Sequence, residues 1–374
     1  MSGFMRGTVG ATTDRNLTPS AAMSSLWATR AAAAEEAVRS RYLHRVGGAV
    51  PATRIGRIRS PRSGAPRARA RALIGPWHYW WQAHLLDCLV DAQLRAPDPR
   101  RAAAIAGMVR GVRLRNLGRW TNDYYDDIAW FGLAVHRAGP RTRSGPRAVA
   151  AITARLRAGH TSDLGGGIHW RRGDDFKNAP ANGPAAILLA RTGAVELAAG
   201  ITDWLADTLV DPDTGLVIDG VRPTADGVQR ATTTYTYCQG VYLGACVELA
   251  QRTGDGRWRE RAEAVLVATA RHLAEPDGVV GGYDDGGDGG LFNGILARYL
   301  ADAAARVPDL PHARDLVLAS AEAVWAHRAD TPHGPFFAHD WRRAAREPGP
   351  EAPEGDLSVQ LSAWMLLEAA ARLS

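Results

Sequence analysis

The feature that most constrains the fold of this chain is a helical pattern that recurs along almost its whole length. Apolar residues fall at helical spacing in about twelve segments, each bounded by Gly, Pro or Asp. The predicted helices cover residues 23–46, 77–94, 99–116, 124–138, 145–159, 180–192, 195–210, 234–252, 256–274, 291–306, 311–328 and 356–373. Because these segments do not separate into groups, we expect a single all-α domain over 23–374, preceded by a flexible segment at 1–22.

The predicted helices alternate in character when they are taken two at a time. The first of each pair is a plain amphipathic helix, whereas the second opens with aromatic, polar or acidic residues and follows a long glycine-rich connection. Two long connections, Leu209–Thr232 and Leu273–Gly290, contain turn signals compatible with a short hairpin. This alternation predicts an (α/α)6 barrel, a six-hairpin toroid with its cleft at the N-terminal ends of the inner helices. An open α-solenoid is the alternative, and it requires a fixed-period repeat that the sequence does not show.

Two adjacent carboxyl groups, Asp126 and Asp127, stand among aromatic residues at one of these polar helix starts. Neighbouring side chains on a helix diverge by about 100°, which places the two carboxyls roughly 5 to 7 Å apart. That is closer to the separation of about 5 to 5.5 Å in retaining glycosidases than to the wider inverting gap. Mutual repulsion favours keeping one carboxyl protonated near neutral pH. Alternatively, both are ordinary first-turn acids that complement the helix dipole.

A second group of residues begins with three consecutive glycines, Gly165 to Gly167, and continues to Trp170. Glycines permit close approach of the backbone to a ligand, and an indole offers a flat face for a sugar ring. Polar residues then lead to Lys177 and Asn178. The pattern favours a sugar subsite over its alternative, a surface loop that ends at a capped helix with Trp170 folded inward.

Lys177 is the only lysine in the chain, since arginine supplies the other 44 of the 45 basic residues. A lysine that survives among so many arginines is compatible with a need for its compact ammonium group. Chance retention explains it equally well.

The remaining aromatic helix starts should divide between cleft and core, because side chains on one turn cannot all face the same way. This applies to the run from Trp77 to Trp81 and to Tyr235, Tyr237 and Gln239. Near residue 284, glycines surround a second Tyr-Asp-Asp sequence and predict a mobile loop instead of a catalytic pair. Its acids make calcium binding conceivable, but their spacing lacks an EF-hand pattern and favours a solvated turn.

Composition and missing motifs narrow the function further. The net charge is +6, but the arginines are spread along the chain and mixed with acids, so we expect a solvated surface and no nucleic-acid partner. The three cysteines lack metal-ligand spacing and fit a reducing compartment. No leader and no membrane-length apolar stretch is evident, which leads us to expect a cytoplasmic location. Serine-elbow, zinc-helix and P-loop motifs are absent, and we expect neither a metal nor a cofactor.

Three motifs together resemble glycoside hydrolase family 76, the endo-α-1,6-mannanases, and in particular its actinobacterial branch. They are YDDIAW at 125–130, GGGIHW at 165–170 leading to Lys177-Asn178-Ala179, and TYCQG at 236–240. The likeness extends over roughly residues 25–370 as a pattern of helices and loops. One departure is Cys238, which stands where the family pattern leads us to expect a polar residue such as Asn.

The resemblance implies an (α/α)6 barrel that cleaves internal α-1,6-mannosidic bonds with retention of configuration. It assigns Asp126 as the nucleophile and Asp127 as the general acid/base. The expected partner is an α-mannan oligosaccharide or polysaccharide, free or linked to a glycolipid, bound by a monomer. The substrate-binding candidates are Trp77, Tyr125, Trp130, Gly166, Gly167, Trp170, Lys177, Asn178, Tyr237, Gln239, Asp284 and Asp285.

Other activities compatible with the same architecture are transglycosylation, sugar epimerisation and glycan binding without catalysis. Epimerases usually depend on histidines that shuttle protons. The candidate histidines do not form a convincing pair by spacing; they are His78, His84, His169, His333 and His339.

Overall fold

The computed structural model describes residues 19–60, 75–281, 286–346 and 355–374, which contain twelve α-helices. In chain order they are α1 Pro19–Tyr42, α2 Tyr79–Arg95, α3 Pro99–Arg115, α4 Tyr125–Ala138, α5 Gly145–Gly159, α6 Ala179–Arg191, α7 Val195–Leu209, α8 Thr236–Thr253, α9 Gly256–His272, α10 Phe292–Arg306, α11 Ala313–Ala326 and α12 Leu357–Leu373. Every predicted helix is present, with ends that differ by a few residues.

The even-numbered helices form a closed inner ring, and the odd-numbered helices surround it. Each inner helix packs against the next inner helix along the chain, and α12 returns to pack against α2. On the outside, α1 packs against α12, so the first and last described helices complete the double ring. The predicted (α/α)6 barrel is confirmed, and the closed ring excludes the open solenoid.

Burial separates the two layers as the sequence patterns predict. In α6, twelve of the thirteen residues are buried, because an inner helix is covered on every side. In the outer helix α5, the buried residues recur every three or four positions and face the ring; they are Gly145, Ala148, Ile152, Leu156 and Gly159. Such a single apolar stripe is the pattern of a helix with one solvated face.

Glycines in the inner helices allow neighbouring helices to approach closely. A Cβ atom added to Gly183 of α6 would lie 2.5 Å from Val241 of α8, and one added to Gly294 of α10 would lie 2.5 Å from the Cα of Ser362 in α12. Gly240 makes the equivalent approach from α8 to α10. These close contacts lie near the N-terminal ends of the helices and hold the ring together there.

Short turns join the inner helices to the outer helices that follow them, and two of these turns end in an aspartate cap. Asp98 accepts a hydrogen bond from the backbone N–H of Arg100 at 2.7 Å and begins α3, with Pro99 at the first helical position. Asp255 caps α9 in the same way through the N–H of Arg257 at 3.0 Å. The long connections therefore all lie at the opposite end, before the inner helices.

Several of the long connections contain short antiparallel strands. Their bounds are β1 Leu43–His44, β2 Ile55–Gly56, β3 Lys177–Asn178, β4 Gly220–Thr224, β5 Gly227–Ala231, β6 Ala329–Thr331 and β7 Gly334–Phe336. β4 and β5 form the hairpin predicted within Leu209–Thr232, and β3 extends it to a three-stranded sheet. In the second predicted hairpin region, Ala274 pairs with Val280, and residues 282–285 lie outside the described ranges.

Pairing between β1 and β2 ends α1 four residues earlier than predicted, because Leu43 bonds across to Gly56 instead of continuing the helix. The β6–β7 hairpin was not predicted. Of the helices that the structure describes, none is long and apolar enough to cross a bilayer.

Candidate active site

The N-terminal ends of the inner helices surround a cleft of about 360 Å³. Side chains from five of the six inner helix starts, and from the connections before them, contribute to its walls. The lining residues are Trp80, Asp126, Trp130, Trp170, Phe176, Asn178, Pro180, Asp219, Arg222, Tyr235, Tyr237, Asp288 and Phe292. The cleft lies where the alternation of the helices predicts it.

The two adjacent carboxyls occupy the first turn of α4 and are held by different donors. Asp126 accepts hydrogen bonds from the Trp170 indole N–H at 3.0 Å and from the backbone N–H of Asp127 at 2.8 Å. Asp127 accepts a hydrogen bond from the Asn122 side-chain amide at 2.6 Å. Both side chains are half-buried. Neighbours along the chain thus lie in different electrostatic surroundings.

These surroundings raise the pKa of both acids, but to different extents. Burial raises the pKa of Asp126 to about 6, although its two hydrogen bonds favour the carboxylate and oppose this rise. Burial raises the pKa of Asp127 well above its usual range, and the negative charge of Asp126 adds to the effect. The two hydrogen bonds to Asp126 therefore favour its carboxylate, whereas burial and the neighbouring charge favour the protonated form of Asp127.

Two further carboxyl groups face the cleft from other elements. Asp288, in the turn before α10, accepts hydrogen bonds from the indole N–H groups of Trp80 at 3.1 Å and Trp81 at 2.8 Å. Its charge contributes to the raised pKa values of both α4 acids. Asp219 precedes β4, and burial raises its pKa to about 6. The cleft is thus acidic as well as aromatic.

Aromatic rings form the walls of the cleft. Tyr237 and Phe292 stack with ring centroids 4.0 Å apart and nearly parallel planes. Trp170 contacts Tyr124 edge to face at 5.2 Å and presents its N–H to Asp126. Trp130 lies one turn below Asp126 on α4. Flat rings beside carboxyl groups are the surfaces on which proteins bind the apolar faces of sugars.

Backbone pairing fixes the connection that carries Trp170 against the start of α4. The N–H of Tyr125 donates to the carbonyl of Trp170 at 2.9 Å, and the N–H of Arg172 donates to the carbonyl of Asp123 at 2.7 Å. The N–H of Trp170 donates to Phe176 at 2.7 Å, which joins the segment to β3. Two motifs 40 residues apart in sequence are thereby brought to one site.

Lys177, Gly166 and Gly167 support the cleft instead of lining it, which corrects their prediction as substrate-binding residues. Lys177 is fully buried, and its ammonium donates to the hydroxyl of Thr161 and to the backbone carbonyls of Asp163 and Gly166. The glycines adopt positive φ angles and pack against Trp204 of α7; a Cβ at Gly167 would lie 2.8 Å from that indole. The close approach that the glycines permit is to a core tryptophan and not to a ligand.

Gln239 is likewise buried, and its side-chain amide pairs with the backbone of Val217, which corrects its assignment to the cleft.

This pairing of a side-chain amide with the backbone occurs on four inner helices. In each, the amide of the fourth residue bonds both the N–H and the carbonyl of one residue in an earlier connection. The pairs are Gln82 with Gly56, Asn182 with Ile168, Gln239 with Val217, and Gln360 with Phe337.

The structure corrects two predicted substrate-binding aromatic residues, Trp77 and Tyr125, because neither lines the cleft. Trp77 packs edge to face against Tyr79 at 5.4 Å, and Trp80, three residues later, reaches the cleft in its place. Tyr125 is buried against Gly159 of α5, so it faces the outer layer. A step of one residue on a helix turns the side chain by about 100°, so neighbouring aromatic residues divide between core and cleft in a way that the sequence pattern does not resolve.

The structure places the other candidates as follows. Trp130, Trp170, Asn178 and Tyr237 lie in the cleft with Asp126. Asn178 also caps α6 by accepting a hydrogen bond from the N–H of Ala181 at 3.2 Å. The remaining two candidates, Asp284 and Asp285, lie outside the described residues. Across the described ranges, no group of three or more His, Cys, Asp or Glu side chains is arranged to hold a metal ion.

Sequence reasoning missed several polar residues of the site. Asn122 belongs to the same stretch as the acid pair, and its place five residues before Asp127, beside the helix start, was the signal that could have indicated it. Asp219 and Arg222 lie in or beside β4, where the hairpin was predicted but its direction toward the cleft was not. Asp288 stands in a glycine-rich run that reads as a loop. Only the closed ring shows that these connections meet.

A closed double ring of helices, whose polar ends surround paired carboxyls and aromatic walls, defines an (α/α)6 barrel protein with a cleft suited to sugar rings. The model of glycosyl hydrolase family 76 matches residues 30–371 of the chain. The protein therefore belongs to glycosyl hydrolase family 76, and the family resemblance noted in its motifs is confirmed.

Solved structures show the same architecture. The chain is similar to the GH76A alpha-1,6-mannanase of Salegentibacter sp. HEL1_6, with a TM-score of 0.81 and 30% identity, over 93% of this chain and 100% of that one. It is also similar to an inactive variant of that mannanase, in which two consecutive aspartates are replaced by asparagine, in complex with alpha-1,6-mannotriose. That comparison has a TM-score of 0.80 and 29% identity, over 93% of this chain and 100% of that one.

A curated relative is the mannan endo-1,6-alpha-mannosidase DCW1 of Candida glabrata, which is 27% identical over 265 residues. The match includes 62% of this chain and 59% of the relative, so the chain spans about three fifths of that protein's length.

Proposed function

We propose that the protein is a retaining endo-α-1,6-mannanase in which Asp126 is the nucleophile and Asp127 the general acid/base. The observation that carries the proposal is the unequal environment of these two adjacent carboxyls. Asp126 receives two hydrogen bonds that favour its ionised form, whereas burial and the charge of its neighbour raise the pKa of Asp127 and favour its protonated form. Retaining and inverting glycosidases both require one carboxylate and one carboxylic acid, and the adjacency of this pair favours the shorter separation of the retaining class.

In the first step, a carboxylate oxygen of Asp126 attacks the anomeric carbon and forms a covalent mannosyl ester. Asp127 donates its proton to the departing glycosidic oxygen, so the bond breaks without releasing an alkoxide. In the second step, Asp127 as a carboxylate removes a proton from water, the water oxygen attacks the same carbon, and Asp126 leaves. Two inversions at one carbon give net retention.

The choice of mannan rests on the relatives and is compatible with the walls of the cleft. The Salegentibacter structure with alpha-1,6-mannotriose shows that ligand in a barrel of this family. In this chain, Trp130, Trp170 and the stacked Tyr237–Phe292 pair supply faces for successive rings. Asp219 and Asn178 supply polar atoms beside them for sugar hydroxyls.

Incubation with linear α-1,6-mannooligosaccharides tests the proposal. Wild-type protein should yield shorter oligomers, and Asp126→Asn and Asp127→Asn should each reduce kcat by about 10³-fold or more. Asp123→Asn is the matched control, because the carboxylate of this neighbouring acid is exposed and lies 3.8 Å from Arg155. Its turnover should equal that of wild type. Wild-type turnover in both pair variants would refute the assignment.

The alternative of a histidine-dependent epimerase has less support. The cleft lining formed by the described residues contains no histidine. His84 lies behind the cleft wall against Trp130, and burial lowers its pKa well below the usual range.

Transglycosylation uses the same covalent intermediate with a sugar hydroxyl in place of water. Its products are longer oligomers, which product analysis separates from those of hydrolysis.

A further inference from the structure

The only lysine of the chain occupies a buried site that uses every donor of its ammonium group. Lys177 is 0% exposed. Its three N–H bonds are directed to the hydroxyl of Thr161 at 2.9 Å, to the carbonyl of Gly166 at 2.6 Å and to the carbonyl of Asp163. All three acceptors lie on the turn that precedes and includes the glycine run. The ammonium therefore closes this turn from within.

The geometry explains why arginine does not replace lysine here, although it does everywhere else in the chain. A tetrahedral ammonium directs three donors into a small cluster of oxygens, whereas a guanidinium is planar, wider and directs its donors outward in a fork. The space around the turn is already filled by Trp204, which contacts Gly166 and Gly167 and donates its indole N–H to the carbonyl of Leu164 at 2.8 Å. A larger head group would displace the turn.

A series of contacts connects the turn at residues 161–167 to Asp126 of the acid pair. After the glycines, Ile168 is held at both its N–H and its carbonyl by the side chain of Asn182, at 2.7 and 2.8 Å. Two residues later, Trp170 bonds through its backbone to Tyr125 and Phe176. Its indole N–H then donates to Asp126 at 3.0 Å. The backbone of residues 166–170 connects these hydrogen bonds, all of which join buried or half-buried residues.

We propose that Lys177 is a positioning residue, which holds the glycine turn so that the Trp170 indole N–H is presented to Asp126. This inference rests on the proposed role of Asp126 as nucleophile. Lys177 does not touch the substrate cleft. Its contribution is to orient a carboxylate that must lie in line with the anomeric carbon, and a displacement of about 1 Å in such a group costs about 100-fold in rate.

Lys177→Arg is the decisive variant, because it conserves the charge but not the compact shape. We expect kcat to fall by about 10- to 100-fold with little change in KM, and the acidic limb of the pH–kcat/KM profile to move to higher pH. Glu248→Gln is the control for lost stability. Glu248 is buried in an ion-pair network with Arg191 and Arg306 at the opposite end of the barrel, so this variant should lower Tm without moving the pH profile.

Thr161→Val provides a milder test if the arginine variant does not fold. It removes a single acceptor of the ammonium, and its effect should have the same direction and a smaller size. A double-mutant cycle with Trp170→Phe then separates positioning from general stability. If Lys177 acts through the indole, Lys177→Arg should cause little further loss of kcat in the Trp170→Phe background. Independent, multiplying losses would overturn the proposal.

A readout without turnover distinguishes failure of this inference from failure of the proposed function. In ¹H–¹⁵N NMR spectra, the Trp170 indole resonance, assigned by its loss in Trp170→Phe, should titrate with Asp126 in the wild-type protein. In Lys177→Arg it should move toward the position of an indole without a carboxylate partner. An unchanged titration would overturn the inference even if mannan is cleaved. A wild-type protein inactive on mannan would overturn only the proposed function, because the titration reports the Trp170–Asp126 hydrogen bond, on which Lys177 acts, without turnover.

Discussion

Replacement of Trp170 by Phe should shift one limb of the pH–rate profile and leave the other in place. The indole N–H is a donor to Asp126 at 3.0 Å, and phenylalanine keeps an aromatic face but has no donor. A hydrogen bond to a charged group contributes about 1.5 to 3 kcal/mol, which corresponds to about one to two pKa units. Loss of the donor destabilises the carboxylate relative to the neutral acid, so the pKa of Asp126 should rise from about 6 to about 7 or 8.

Because the nucleophile must be ionised, the higher pKa removes activity at low pH first. On the acidic limb, kcat/KM should fall by about 10- to 100-fold relative to wild type beyond any loss on the plateau. The assay is initial-rate hydrolysis of a short α-1,6-mannooligosaccharide from about pH 4 to 9, at fixed ionic strength. Both limbs are properties of the coupled pair, so the comparison is between profiles and not between single residues.

Asn122→Ala is the matched variant for the other carboxyl. Its amide donates to Asp127 at 2.6 Å, so its removal should raise the pKa of Asp127 further and move the basic limb to higher pH. The acidic limb should stay in place. Two results would refute the assignment of Asp126 as the ionised nucleophile and Asp127 as the general acid. One is that Trp170→Phe moves the basic limb, and the other is that neither variant moves either limb.

Three other substitutions test separate parts of the structure. Asp288→Asn removes a charge that raises the pKa of Asp126 and Asp127, so the whole pH–rate profile should move to lower pH. The shift should be smaller at high salt, because Asp288 is exposed. A profile that does not move would contradict this expectation. Gln239→Leu leaves the Val217 backbone unpaired and should reduce the free energy of unfolding by about 1 to 3 kcal/mol, measured by denaturation, while kcat stays near wild type. Gly167→Ala forces a side chain into a positive-φ position against an indole, and both Tm and kcat should fall; a wild-type Tm would show that the turn tolerates a Cβ.

The fold could be predicted from the sequence because its layers differ in composition. A helix such as α6, buried on all sides, and a helix such as α5, with a single apolar stripe, carry different patterns that follow directly from their positions. The alternation of long and short connections then fixes the end of the barrel at which the cleft lies. The β6–β7 hairpin was missed, because three-residue strands carry too few residues for a periodic signal.

The site was predicted only in part, since a sequence shows residue types but not the direction in which they point. Gln239 and Lys177 have the chemistry of sugar-binding residues, yet both bond to the connections before inner helices. Gln239 bonds the backbone of Val217, and Lys177 bonds the hydroxyl of Thr161 and two backbone carbonyls. Asp288 has no helical or motif context and reaches the cleft only because the ring closes. Asp126 and Asp127 were found because adjacency itself is informative, whereas their unequal environments depend on Trp170 and Asn122.

The short separation of the two carboxyls that adjacency implies remains a prediction. Its chemical consequence is retention of configuration at the anomeric carbon, which can be measured directly. The most direct test is ¹H NMR of the reducing end formed in the first seconds of α-1,6-mannan cleavage, before mutarotation. A covalent intermediate on Asp126 predicts that the new reducing end appears first as the α-anomer and that short oligomers accumulate from internal cleavage. First appearance of the β-anomer would contradict the covalent mechanism, and absence of any new reducing end would contradict the proposed function.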